Sequence, residues 1–151
     1  MSVRSLSPLH EAALKGDSDS VKSLLDSGAD VNARNEVDGT PLHLAALSGS
    51  AETVKLLLDR GAQVNATSEF RTTPLHLAAQ SGNAESLKLL LENGADAGAL
   101  NDWGIRPLDL AARRGETESA TVLQRTPPAQ GGERLFSDRI TASKDVRKRS
   151  L

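Results

Sequence analysis

The chain has 151 residues, about the length of one domain, and it contains no cysteine, which excludes disulfides, thiolate chemistry and cysteine-based zinc sites. Aromatic residues make up only 2% of it, so any core must be built from leucine, alanine and valine, and the first two favour helices. The formal net charge is −2, but residues 1–125 carry 12 basic and 17 acidic residues, and this acidic balance argues against binding to nucleic acid.

One ten-residue pattern recurs four times along the chain. It reads SPLHEAALKG from Ser7, TPLHLAALSG from Thr40, TPLHLAAQSG from Thr73 and RPLDLAARRG from Arg106, at a constant step of 33 residues. Threonine followed by proline is typical of a helix start, and the closing glycine is typical of a helix end. A second stretch with helical apolar spacing, such as SAETVKLLLDRG, follows each copy. Each copy therefore predicts two short helices, which bury their apolar faces by stacking on neighbouring copies.

These residues resemble the ankyrin repeat, whose period is about 33 residues and whose signature is T-P-L-H-x-A. The resemblance covers residues 7–125 and extends to GADVNA, which begins at Gly28. It implies an all-α solenoid of four helix-turn-helix repeats whose connections project as β-turn fingers. We expect an ankyrin-repeat domain at 1–125, with repeats at 7–33, 40–66, 73–99 and 106–125, fingers at 34–39, 67–72 and 100–105, and a flexible basic tail at 126–151.

The fourth repeat departs from the pattern. Arg106 and Asp109 replace its threonine and histidine, which predicts the loss of a helix cap and of a hydrogen-bonding imidazole. Ser119 and Gln124 give its second helix the polar outer face of a terminal capping repeat. The array is therefore expected to be complete at four repeats.

The resemblance also implies where a partner would bind, because ankyrin proteins mostly bind other proteins through their fingertips and first helices. At the 33-residue step, Val37, Phe70 and Trp103 occupy one position, which we call the fingertip row. Nearby positions on the fingers and first helices complete the predicted partner-binding set: Arg34, Glu36, Glu69, Asp102, Ile105, Leu47, Gln80, Arg113 and Arg114. Aromatic residues and arginines are typical of binding hot spots.

Two alternatives stay open for these apolar residues. Trp103 either contacts a partner directly or packs on the neighbouring finger and stiffens its turn, and the same applies to Phe70. Leu14 and Leu47 are either exposed on the first helices or buried between them. Arg71 and Asp38 stand where ankyrin fingers usually carry glycine, so those two turns are expected to be altered.

No pattern indicates catalysis. His10, His43 and His76 lie on successive repeats, and packed helices are about 8–10 Å apart, so the three imidazoles cannot meet at one metal ion. The resemblance implies that each instead ties a turn to neighbouring backbone. We predict no catalytic residue, no metal and no cofactor, and hence no enzyme. Asn32 and Asn65 resemble the asparagines that intracellular hydroxylases modify in ankyrin repeats.

Residues 126–151 open with TPPAQGG, which reads as a linker, and carry six basic and three acidic residues. Their main apolar members are Leu135, Phe136 and Ile140, too few for a core, so disorder is the default. Three alternatives stay open: VRKRSL binds an importin or an acidic surface, Ser150 is a kinase site, or ERLFSDRI folds back onto the last repeat.

Taken together, the patterns predict a monomeric, non-catalytic protein–protein interaction module that acts as an adaptor or as an inhibitor. The alternative is a regulatory or chaperone-like obligate subunit of a larger complex. No apolar run approaches the roughly 20 residues that cross a bilayer, and the N-terminal segment lacks a secretory signal. We expect no membrane partner, and a location in the cytoplasm, with the nucleus as a second location.

Overall fold

The computed structural model describes residues 7–115 and 117–125, with Thr117 described by its backbone alone. These residues form four helix pairs and one short 3₁₀ turn at Glu69–Arg71. The pairs are α1 (Pro8–Lys15) with α2 (Ser18–Asp26), α3 (Pro41–Ser48) with α4 (Ala51–Asp59), α5 (Pro74–Ser81) with α6 (Ala84–Glu92), and α7 (Pro107–Arg113) with α8 (Thr117–Arg125). The three alternatives for the tail at 126–151 lie outside the described residues.

The first helices begin and end as their sequence predicts. Thr40 is the N-cap of α3, and its side chain accepts a hydrogen bond from the backbone N–H of His43. Gly49 ends that helix with a φ of +80°. A Cβ atom at Gly49 would lie 3.4 Å from the side-chain nitrogen of Asn83, which donates to the Gly49 carbonyl at 2.6 Å. Glycine is therefore needed here for its left-handed conformation, whereas a Cβ atom would only make an ordinary contact with the next repeat.

The helices form two layers. First helices α1, α3, α5 and α7 contact one another in chain order, and so do second helices α2, α4, α6 and α8. The core between the layers repeats the same positions: Leu9, Leu42 and Leu75; Ala13, Ala46 and Ala79; Val21, Val54 and Leu87. Matching residues therefore lie in rows along the stack and do not converge on a pocket, which confirms the predicted solenoid.

Asparagine side chains join successive repeats. The Asn32 side-chain amide donates to the Gly61 carbonyl at 3.3 Å and its oxygen accepts from the Gln63 N–H at 2.8 Å. Asn65 makes the equivalent pair of bonds to the third repeat, at 3.0 and 2.8 Å. These two asparagines therefore hold the start of each following connection in place.

One prediction for the fourth repeat is wrong, and another is confirmed. Ser119 does not lie on an outer face: it is 1% exposed, at the position of the buried Thr53, whereas Gln124 is exposed. The predicted loss of a cap is confirmed, because the Arg106 side chain makes no capping bond to α7. The Asp109 carboxylate nevertheless accepts from the Arg106 backbone N–H at 2.9 Å, and this bond takes the place of the one that His43 Nδ1 accepts from the Thr40 N–H. The carboxylate also binds the Arg106 guanidinium at 3.0 Å, and this bond lowers the pKa of Asp109.

Candidate protein-binding surface

An asparagine side chain closes the first and third fingers. Asn35 Oδ1 accepts hydrogen bonds from the backbone N–H groups of Val37 and Gly39, at 3.0 and 2.8 Å. Asn101 makes the equivalent pair of bonds in the third finger, at 2.9 and 3.0 Å. Such Asx turns fix the backbone at the tip, so each tip residue projects from a defined turn.

The middle finger has a different turn, because Ser68 stands at the asparagine position. The Ser68 hydroxyl donates to the Thr72 carbonyl at 3.3 Å instead of accepting from the backbone. In this finger both Phe70 and Arg71 have positive φ, 65° and 59°. The predicted alteration is therefore confirmed for the finger that contains Arg71. It is wrong for the first finger, because Asp38 adopts a φ of 58° and that finger keeps the same Asx turn as the third. The role of Ser68 was not predicted, although the change from Asn to Ser at the 33-residue step was visible in the sequence.

The fingertip row is a continuous edge. The Glu69 N–H donates to the Val37 carbonyl and the Asp102 N–H donates to the Phe70 carbonyl, each at 2.9 Å. The rings of Phe70 and Trp103 are in contact, with centroids 5.0 Å apart and planes inclined by 41°. Each tip is thus joined to the next by backbone, and the last two also by their side chains.

The tips remain exposed in spite of these contacts. Val37 and Phe70 are each 49% exposed and Trp103 is 63% exposed. Both interpretations of Trp103 are therefore compatible with its position, since one part of the indole packs on Phe70 and a larger part faces outward. For Leu14 and Leu47 the alternatives are decided: both are 40% exposed, so they are not buried between the first helices.

The large exposed apolar side chains of the described residues lie on two kinds of element. They belong to the fingers and to the first helices: Leu14, Val37, Leu47, Phe70, Leu100 and Trp103. Within the same part of the chain, the second helices carry none of them and expose charged residues such as Lys22, Lys55 and Lys88. Large apolar exposure in the described residues is therefore confined to the fingers and first helices.

The remaining predicted finger residues have two kinds of position. Glu36, Glu69 and Asp102 are exposed and directly precede the three tips, so they form a parallel acidic row. Arg34 is exposed, but its Nη1 atom donates to the carbonyl groups of Asp38 and Thr67, at 2.8 and 2.7 Å. Its guanidinium therefore links the first two fingers.

Ile105 is half-buried, and its carbonyl accepts a hydrogen bond from His76 Nε2 at 2.8 Å. Its backbone thus anchors the third finger to the preceding repeat. The predicted first-helix residues are all exposed, and three of them share one position on successive helices, where the side chain changes along the array: Leu47, Gln80 and Arg113. Arg114 directly follows α7 and is exposed as well.

The histidines have the predicted structural role. His43 Nε2 donates to the Thr72 carbonyl at 2.9 Å, while Nδ1 accepts from the Thr40 N–H at 3.1 Å. Burial lowers the pKa of His43 to about 4, although the bond to Thr72 opposes this shift. Burial also lowers the pKa of His76. The neutral imidazole is therefore the form in which His43 and His76 join their first helices to the following fingers.

Within 7–115 and 117–125, no group of three or more His, Asp or Glu side chains is placed to hold a metal ion. None of the helices in this part of the chain has the length and apolar character required to span a bilayer.

The fold and the site define a helical repeat array with a projecting edge of turns. A family model described as ankyrin repeats, in three copies, matches residues 9–101 and again residues 42–130. The chain belongs to the ankyrin-repeat family. A search of curated proteins gave no significant match. Ankyrin repeats are protein–protein interaction modules, and the family is typically non-catalytic.

Proposed function

We propose that this chain is a non-catalytic module that binds a partner protein through its fingertip row and the exposed face of its first helices. One observation carries the proposal: the large exposed hydrophobic side chains of the described residues lie on the fingers and first helices alone. In this role the module serves as an adaptor, or as an inhibitor that occludes its target.

The chemistry of these side chains indicates what the partner offers. A tip row containing Phe70 and Trp103 is suited to apolar anchors, because aromatic residues supply much of the energy at protein interfaces. The acidic row beside it favours a partner with basic residues next to its apolar ones. The rigid backbone links between tips reduce the ordering cost of binding.

The test is affinity capture from a cell lysate, with bound proteins quantified by mass spectrometry. We expect the double variant F70A/W103A to lose the main partner. The matched control K55A/K88A removes two exposed side chains from second helices, and we expect it to retain that partner. Capture of the same proteins in the same amounts by all three chains would contradict the proposal.

The obligate-subunit alternative predicts a different behaviour of the isolated chain. A free-standing module is expected to unfold cooperatively as a monomer, because its four helix pairs bury a continuous core. An obligate subunit is expected to aggregate or to be poorly soluble without its partners. Thermal unfolding followed by circular dichroism, with the molar mass measured by light scattering, separates the two.

A further inference from the structure

Within the described residues the fingertip row ends at Trp103, and we call this point its open end. The carbonyl groups of Val37 and Phe70 each accept a hydrogen bond from the next finger, at 2.9 Å. Among the described residues, no donor reaches the Trp103 carbonyl. Trp103 is also more exposed than the two tips before it, 63% against 49%. Within the described residues, the last finger therefore ends in a backbone acceptor without a donor and in an indole that Phe70 covers only in part.

The spacing of the three described tips places one residue beyond α8 at the fingertip position. Each tip lies eleven residues after the last residue of the preceding second helix: Val37 after Asp26, Phe70 after Asp59 and Trp103 after Glu92. Helix α8 ends at Arg125, and eleven residues further on is Phe136. The same residue is reached by adding one 33-residue step to Trp103. Phe136 is one of only two phenylalanines in the chain, and the other is Phe70.

We propose that residues 133–138 of this chain dock on the open end of the fingertip row. The Phe136 ring packs on Trp103, and the Leu135 N–H donates to the Trp103 carbonyl, as Glu69 and Asp102 do to the tips before them. The connecting length matches, because eleven residues also span from helix end to tip in the three described fingers.

The covalent link favours the same occupant. Residues 133–139 hold two acidic and two basic residues, so their net charge is zero, and the net charge of +3 over residues 126–151 comes from residues 144–149. Position and connecting length therefore favour this segment, and charge does not. Because the segment belongs to the same chain, its effective concentration at Trp103 is higher than that of a separate molecule.

The docked segment is held less firmly than the described fingers. His76 holds the third finger through the Ile105 carbonyl, but the equivalent residue of the fourth repeat is Asp109, which binds Arg106. The Asn65 position is likewise occupied by Gly98, which has no side chain to reach forward. The segment is therefore displaceable, and a partner for the fingertip row competes with it for Trp103.

The first test uses Trp103 as a reporter, because it is the only tryptophan in the chain. Fluorescence emission and acrylamide quenching are measured on the full chain with no partner present, so the result does not depend on the proposed binding function. We expect F136A to shift the emission to the red and to raise the quenching constant. The matched control V146A, also an apolar residue of the tail, should leave both unchanged.

Identical quenching of F136A and the unmodified chain would overturn the proposal. A quenching constant of the unmodified chain that rises on dilution would also overturn it, because the segment would then come from a second copy. Circular dichroism melts of both variants verify that the repeats remain folded.

A second test measures proximity without removing the aromatic ring. The chain has no cysteine, so S137C and S150C each give one site for a nitroxide label. We expect the label at 137 to quench Trp103 fluorescence and the label at 150 to leave it unchanged. Equal quenching by the two labels, or none by either, would contradict docking in the proposed register.

Discussion

The ring of Phe70 lies 5.0 Å from that of Trp103, centroid to centroid, across two successive fingers. Such a tilted pair contributes about 0.5–1.5 kcal/mol beyond the area it buries. The contact covers only part of the indole, since Trp103 remains 63% exposed. One residue can therefore stiffen the edge of the array and still present a large apolar surface to another protein.

Replacement of this tryptophan separates the two contributions. We expect W103A to lower the free energy of unfolding by about 1 kcal/mol, the value of the aromatic pair. Its affinity for the captured partner should fall by about 2 kcal/mol or more, as for a hot-spot residue. Urea unfolding and titration calorimetry measure the two quantities. An unchanged affinity with a reduced stability would show that the residue acts only by packing on Phe70.

The strained turn of the middle finger gives a second prediction. Arg71 has a φ of 59°, a left-handed conformation that a side chain disfavours and that glycine adopts freely. Gly104 occupies the same position of the third finger, with a φ of 70°. We expect R71G to raise the free energy of unfolding by about 1 kcal/mol. The control R71A removes the charge but keeps Cβ, so it should give no such gain, and equal stabilities of the two variants would contradict the explanation.

The serine of the middle finger gives a third prediction. In S68N, the new side chain can accept from the backbone N–H groups of residues 70 and 72, as Asn35 does from those of Val37 and Gly39. We expect the free energy of unfolding to rise by about 1 kcal/mol, the usual net value of such a bond. S68A is the control, because it removes the hydroxyl and adds no acceptor. If S68N is no more stable than S68A in urea, the Asx turn does not form there.

The buried histidine predicts how stability depends on pH. The pKa of His43 is about 4 in the folded chain, below its ordinary value of 6.5, so the unfolded chain binds more protons between these values. The contribution of His43 is fully present above pH 6.5 and is lost as the pH falls towards 4. The full contribution of this pKa shift to the free energy of unfolding is about 3 kcal/mol, because one pKa unit corresponds to about 1.4 kcal/mol.

Urea unfolding of the unmodified chain and of H43Q at pH 7 and pH 4.5 measures this dependence. Glutamine does not titrate, so H43Q should lose less stability between these two pH values than the unmodified chain does. His76 remains in the variant, and burial lowers its pKa too, so some dependence should persist. Equal losses in the two chains would show that His43 is not the group responsible.

Much of the fold could be predicted from local chemistry. Short signals specify each helix, because capping and amphipathicity act over a few residues. A first helix is marked by the proline after Thr40 or Thr73 at its start and by a glycine at its end, and a second helix is marked by its apolar spacing. The 33-residue step then placed Val37, Phe70 and Trp103 at one structural position, since stacked copies put equivalent residues in rows. The partner-binding role of that row remains a prediction.

The burial of individual side chains could not be predicted in the same way. Ser119 looked like part of a polar outer face, yet it occupies a buried column, because what surrounds it is decided by the neighbouring helices. Likewise, the sequence did not show that the Arg34 guanidinium links two fingers by bonds to Asp38 and Thr67. The partner-binding role of Arg34 stays a prediction.

The sequence by itself thus determined the repeat, its helices and the row in which the tip residues lie, since these follow from periodicity and from caps within each copy. Only the tertiary structure decided which of those side chains are exposed and which are in contact with a neighbouring finger. Exposure depends on what the next repeat places against a residue. The ring contact between Phe70 and Trp103 and the backbone bonds between successive tips are properties of adjacent fingers, and no single repeat contains them.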